Sequence, residues 1–273
     1  MKLGANDNSF NLISINIDGR NIVETPLVKA ANGIFNKVFS NLIEYQIVRE
    51  AELKKLASDT NKYFNLIPEN ERDNSKLGLT LKAMEDSQYQ LNDNEIRDMF
   101  AKLIAKSMDK RFNAEIPPAF SDILKNLSSN EAFICKILYS IEYKVLPLFQ
   151  LKMSNKEGVS AMELLRNDKD YHEYSIDSKY WFWYGEIIKI DKLTISLLER
   201  AGIIEPAFYI TKKQSPGYRQ SELIKSSPDF LSLIEVNERN ISKQYDTRDK
   251  LVLDEQCIQF TTLGRKLMDI CLS

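Results

Sequence analysis

The stretch "NDNEIRDMFAKLIAKSMDKR", residues 92–111, decides how the middle of this chain folds. Ile96, Met99, Phe100, Leu103, Ile104 and Met108 recur at three- and four-residue spacing, the period of one helix face. Arg97, Asp98, Lys102, Lys106 and Asp109 fall on the other sides, and Asp98 with Lys102 makes a favourable i,i+4 pair. Asn92 is expected as N-cap, with Glu95 three residues on to reach back to its N–H. The outcome is an amphipathic helix buried along one side, which needs neighbours to bury it.

Working upstream, Thr25-Pro26 offers a helix start, and apolar residues recur at helical spacing from Leu27 to about Phe64. Ile34, Phe35, Val38, Phe39, Leu42 and Ile43 lead its stripe. Before it, "NLISINIDGRNIV" carries the hairpin-type pair Asp18-Gly19 and reads as a short hairpin or extended arm. A second helix is expected over residues 75–89, after the polar turn around Pro68.

Downstream, Pro117-Pro118 breaks the pattern, and a domain boundary is placed there. Residues 1–115 are expected as a helical domain and residues 116–273 as a second one. A short helix over 119–127 leads to Ser128 and Glu131, which have capping-box spacing, and then to a helix over 130–143. "KVLPLFQLKM" reads as extended, "SAMELLRN" as a short helix, and the polar run over 168–180 as a loop. The aromatic cluster Tyr180, Trp181, Phe182, Trp183 and Tyr184 is expected to lead into a helix that ends at Gly202, a C-cap. "AFYIT" and "QCIQFT" are strand candidates, with a helix around 230–237 between them and "TLGRKLMDICL" as a closing helix.

The fold class expected is mainly α with a small β component. Its N-terminal domain is helical. Its C-terminal domain is winged-helix-like, with residues 192–201 as third helix, the two strands as wing, and a long insertion over 212–255.

Composition narrows the chemistry. Lys plus Arg total 37 and Asp plus Glu 39, so the net charge of −2 exerts no global pull on nucleic acid or anionic lipid. Nine glycines over 273 residues argue against glycine-rich phosphate loops, and neither GxGxxG nor GxxxxGK[ST] occurs. Cys135, Cys257 and Cys271 are far apart and His172 is the sole histidine, so no paired ligand spacing exists. No catalytic residues, metal or cofactor are expected. The first residues hold no apolar core of signal type, and no run reaches spanning length, so a cytoplasmic protein is expected.

Three features remain as binding candidates. Lys212, Lys213 and Arg219 surround Tyr218 in a basic loop that could touch phosphates; an ordinary surface loop is the plainer account. Trp181 and Trp183 lie in the aromatic run, a stacking or partner platform if exposed and a packing element if not. Lys189, Lys192 and Arg200 mark the presumed recognition helix but are balanced by Glu186, Asp191 and Glu199.

With those residues in view, a family resemblance appears. Glu95-Ile96-Arg97, Met99-Phe100-Ala101, Leu103-Ile104-Ala105 and Ser107-Met108-Asp109 resemble the core block of Abi-alpha, the abortive infection alpha proteins. Pro118, Phe120, Ile123-Leu124-Lys125 and Leu127-Ser128 resemble its second block. "LLERAGII" and "FTTLGRKLMDIC" resemble its C-terminal pieces. Two segments depart: residues 67–87 lack the proline-rich character expected there, and the 212–255 insertion aligns with nothing. The resemblance implies a bacterial or phage-borne, mainly helical protein linked to anti-phage abortive infection, and it brings no catalytic residues. A protein partner, phage-encoded or self, is the first expectation, with a homo-oligomer one form of it through the Phe35, Val38, Phe39, Leu42 stripe. A DNA-binding regulator is the alternative, and a membrane-perturbing helical effector ranks last.

Overall fold

The computed structural model describes residues 50–142, 144–154, 173–207, 217–244 and 250–273. In chain order its helices are α1 (Glu50–Phe64), α2 (Leu77–Ser87), α3 (Asn94–Ser107), α4 (Ala119–Asn126), α5 (Ser129–Ser140), α6 (Lys192–Arg200), α7 (Gly217–Lys225), α8 (Pro228–Gln244) and α9 (Thr262–Cys271). The strands are β1 (Val145–Ser154), β2 (Glu173–Trp183), β3 (Ile187–Asp191), β4 (Ile204–Pro206) and β5 (Lys250–Phe260). The protein is mainly helical with one antiparallel sheet. Its chain packs as two compact units: described residues up to Phe133 with Lys266–Ser273, and Ile134–Arg265. The boundary expected after residue 115 falls inside the first unit. The expected arm or hairpin, most of the long first helix, "SAMELLRN", His172 and nearly all of "AFYIT" lie outside the described residues.

In the first unit α3 is the hub. Ile96, Met99, Phe100, Leu103, Ile104 and Met108 are all buried, and α3 packs against α1, α2 and α4. Burial of Leu53, Leu56, Ala57 and Phe64 along α1 supplies the facing stripe. The cap sits one residue later than expected. Asp93 Oδ1 accepts from the N–H groups of Glu95 and Ile96, both at 2.9 Å. A carboxylate there faces the positive end of the helix, and the Ser129 hydroxyl donates to its other oxygen. At the next cap, Glu131 does reach back, accepting from Ser128 N–H at 2.6 Å. The Asp98–Lys102 pair is present at 3.5 Å.

Past α3 the chain is tied to the segment before α2. Lys110 N–H donates to Glu71 O, and Asp73 N–H to Met108 O. Asp73 then takes hydrogen bonds from the Ser75 hydroxyl, the Ser75 N–H and the Asn113 amide, which hold its carboxyl at about 2, below the ordinary 3.8. A depressed folded pKa gives stability that is whole above the unfolded value and is lost as pH falls through the folded one. Thermal stability is therefore expected to drop between pH of about 4 and about 2. Asp73→Asn should flatten that part of the profile, as followed by circular-dichroism melts; an unaltered profile would contradict this role.

The second unit is built on the sheet, in the order β3-β2-β1-β5-β4. The central strand β1 is buried along nearly its whole length, as its apolar run requires. Pro147 sits where this is tolerable: it pairs with Cys257 of β5, whereas pairing with β2 starts only at Phe149. Phe149, Leu151 and Trp181 make an apolar face, covered by Ile224 of α7 and Phe230 of α8.

Two sequence readings fail here. Residues 173–180 are strand, not loop, and the aromatic run ends β2 instead of opening a helix. Trp183 pairs with Ile187 across a three-residue turn in which Gly185 has φ 76°. That conformation favours glycine and closes a β2–β3 hairpin. α6 therefore follows a strand directly, not a second helix through a turn. Of the expected wing pair, "AFYIT" lies almost wholly outside the described residues; β5 is paired instead by the segment just before that stretch, Ile204, Glu205 and Pro206 of β4 opposite Phe260, Gln259 and Ile258. Among the described residues the ribbon is one edge of a five-stranded sheet.

α6 ends as its sequence demands. Gly202, at φ 70°, donates to Glu199 O, and Ile203 N–H reaches Leu198 O, the paired bonds of a Schellman turn.

Candidate functional site

The aromatic run sorts by strand alternation. Trp181 and Phe182 are buried on opposite faces, Tyr180 and Trp183 are half-buried, and Tyr184 is exposed. At 1% exposure Trp181 belongs to the core, with the Lys189 ammonium 4.3 Å from its ring centre. Lys189 in turn pairs with Asp229 of α8 at 2.6 Å, and the Trp183 N–H donates to the Gln220 side chain of α7. These two residues thus fasten the helix pair to the sheet. Arg200 and Arg219 are exposed; Tyr218 lies on α7; Lys212 and Lys213 lie outside the described residues.

What periodicity could not find is a break inside β2. Gln150 of β1 faces Tyr180, but Lys152 faces Ser175. One residue of β1 is thereby matched against four of β2, Ile176, Asp177, Ser178 and Lys179. Such bulges interrupt a ladder and re-aim side chains.

This excursion is fixed from within. The Trp181 indole N–H donates to Asp177 Oδ2 at 3.3 Å, and Lys179 N–H to Asp177 Oδ1 at 3.1 Å. The Ser175 hydroxyl donates to Asp177 O and accepts from Gln150 Nε2 at 2.7 Å and Lys192 Nζ at 2.8 Å. Trp181 therefore works as a buried post whose polar edge holds an exposed turn.

Both ends of the excursion meet the start of α6. Lys179 pairs with Asp191, the N-cap of α6, and Ser175 receives the Lys192 ammonium. Beside them Tyr180 donates to Gln256, and its hydroxyl is held protonated beyond its ordinary range by burial and by the charges of Glu199 and Asp254. Among the described residues no group of three or more His, Cys, Asp or Glu is placed to hold a metal. Cys271 is fully buried, which pushes its thiol up to about 12. No described helix is long and apolar enough to cross a membrane.

The other concentration of chemistry-bearing residues is the middle block of the first unit. There Arg97 is buried, its guanidinium donating to Glu52, Leu91 O and Asn94. The Ser107 hydroxyl meets Thr80, and Asp109 holds Arg111. A model described as abortive infection alpha matches residues 48–271. The chain belongs to that family.

In this abortive infection alpha protein the residues that carry the resemblance are fastenings. Ile96, Met99, Phe100, Leu103 and Ile104 form the hub, and Arg97, Ser107 and Asp109 are its internal polar ties. The two C-terminal blocks meet each other. Thr261 Oγ1 donates to Gly202 O and accepts from Gly264 N–H at 2.9 Å, while Thr261 N–H bonds Ile203 O at 3.0 Å. Thr261 is thus the N-cap of α9, docked on the turn after α6. The signature thus identifies a scaffold.

One solved structure, an uncharacterized protein from the hydrocarbon-degrading marine bacterium Alcanivorax borkumensis SK2, is similar at 16% identity and a TM-score of 0.28. The similarity covers 57% of this chain and 93% of that one. No curated protein matches the chain.

Proposed function

We propose that this chain is a cytoplasmic anti-phage protein of the abortive-infection type that acts by binding a macromolecule, first of all a protein, without catalysis and without a cofactor. The family match across residues 48–271 carries the defence half of the reading. The binding half is supported by how the signature residues are used: they tie helices and turns to one another, which leaves recognition to exposed side chains.

Bacteria expressing the chain and challenged with a panel of phages provide the test. Plaque counts should fall for at least one phage, and infected cells should stop growing without releasing progeny. Unchanged plaque counts across the panel would remove the defence half. Protection that persists while every exposed-surface variant remains fully active would remove the binding half.

A second reading, a winged-helix DNA regulator, draws on one observation. α6 is followed by β4 running antiparallel to β5, the helix-then-ribbon part of such modules. This reading expects salt-dependent duplex binding, weakened when Lys212, Lys213 and Arg219 become Ala. Absence of binding at low salt discards it.

A further inference from the structure

We infer that Lys106, where α3 meets α9, is a covalent modification site: its amine takes an acyl group from a small activated acyl donor, an acyl phosphate or an acyl thioester.

Lys106 is half-buried and reaches across to the last turn of α9. Its ammonium donates to Asp269 O at 3.1 Å and to the Ser273 hydroxyl, and lies 5.2 Å from the centre of the Phe112 ring. One turn earlier Lys102 donates to Leu272 O at 3.4 Å. Two cations thus share the end of α9, where they meet the negative end of its dipole. They differ in their counter-charges. Lys102 has Asp98 at 3.5 Å, whereas among the described residues Lys106 makes no ion pair.

That setting favours the free amine. Burial lowers the hold of Lys106 on its proton below the ordinary range, and the neighbouring Lys102 lowers it further. Cys271 would raise it only as a thiolate, and burial keeps that thiol protonated up to about 12. Asp109 and Asp269 also oppose the shift, with less effect, and Asp109 is held by Arg111. A lysine partly stripped of water beside a second cation is an activated nucleophile.

In the reaction the ammonium first gives a proton to water. Its nitrogen then attacks the acyl carbonyl carbon. The N–C bond forms as the bond from that carbon to phosphate or thiol breaks, and a second proton leaves with the departing group. The product amide is uncharged and keeps one N–H, so the end of α9 loses one of its two cations.

To test this, the full chain is treated at pH of about 7.5 with acetyl phosphate or, separately, with the thioester S-acetyl-N-acetylcysteamine. Labelling of each lysine is timed by peptide mass spectrometry. Lys106 should acetylate about three-fold or more faster than the exposed Lys110 and than Lys82, whose ammonium Asp122 and Asp86 stabilise. Its rate should level off at a lower pH than that of Lys82, and the faster of the two reagents identifies the donor. Lys102→Met should slow labelling of Lys106 about two-fold or more. Lys106→Gln, which carries the neutral amide, should melt about 2 °C below Lys106→Arg.

Labelling of Lys106 no faster than Lys82 and Lys110 with both reagents overturns the proposal. So does unchanged labelling in a Lys102→Met protein that melts like wild type, because exposure alone would then govern the rate. The wild-type pH profile needs no variant to fold: a Lys106 rate that levels off no earlier than that of Lys82 has the same force.

Discussion

Gly264→Ala should be among the most damaging single-methyl changes in the second unit. A Cβ built at Gly264 lies 1.9 Å from the Ile203 carbonyl oxygen and 2.8 Å from its carbon. These are backbone atoms, so no side chain can rotate away. Ile203 is held in turn by its own bonds to Leu198 O and from Thr261 N–H. Alanine favours a helix over glycine by about 1 kcal/mol, which offsets only part of the strain. A net loss of about 3 kcal/mol is expected, the upper end for overpacking, and a fall in Tm of roughly 10 °C follows. Gly202→Ala is the comparison. Its φ of 70° costs a non-glycine residue about 1–2 kcal/mol, but its Cβ meets only Leu263 Cδ2 at 3.8 Å. A Gly264→Ala protein that melts with wild type, or above Gly202→Ala, would show that the α9 backbone does not pack on that turn.

Neither glycine announces this partnership in sequence. Gly202 is readable as a C-cap because a helical run ends before it and apolar residues resume after it. Gly264 reads only as a weak spot in a helix; its reason lies in a segment far away along the chain. The same division runs through the rest of the fold. The α3 face, the Ser128–Glu131 cap, β1 and α9 were legible because period, caps and proline act over a few residues. The β2–β3 hairpin was not, although Gly185 and the alternating Ile188 and Ile190 were there to be read. Five adjacent aromatics hide a two-residue period, since both faces of that strand are apolar. Of the network that holds the β2 excursion, Lys192 was singled out from sequence and Trp181 was noticed for a different role. Ser175 and Asp177 could not have been found, because a bulge is a property of two strands in register and is invisible in one.

Arg97 is a different case. On the helix wheel it falls between Ile104 and Met108, inside the buried face, so its burial was there to be read; its pairing with Glu52 and Asp59 of α1 was not, because one helix's period says nothing of which charge faces it. In the folded protein its side chain is 7% exposed and lies 2.9 Å from Glu52 and 3.8 Å from Asp59. Replacement by Leu keeps the volume roughly and removes every donor. Glu52 then retains Lys55 at 3.0 Å and the exposed Asn94 can turn to water, but the buried Leu91 carbonyl loses its partner. Breaking one side of a buried ion pair costs about 3–5 kcal/mol; with Lys55 in reserve the lower figure is expected. Asp59 supplies a second readout. Burial raises its carboxyl above the ordinary range, and Arg97 is the largest influence pulling it back. Without Arg97 it should rise further, so the folded state binds that proton more tightly than the unfolded chain does. An acid with a raised folded pKa gives stability that is present at low pH and lost as pH climbs through that value. The deficit of Arg97→Leu should thus be larger at neutral pH than near pH of about 4.5, the reverse of the trend set by Asp73. Glu52→Gln combined with Arg97→Leu should cost less than the sum of the two, by about 1–2 kcal/mol in denaturant titrations. Strict additivity, or a deficit that does not move with pH, would mean that Arg97 is held there by packing and not by its charge.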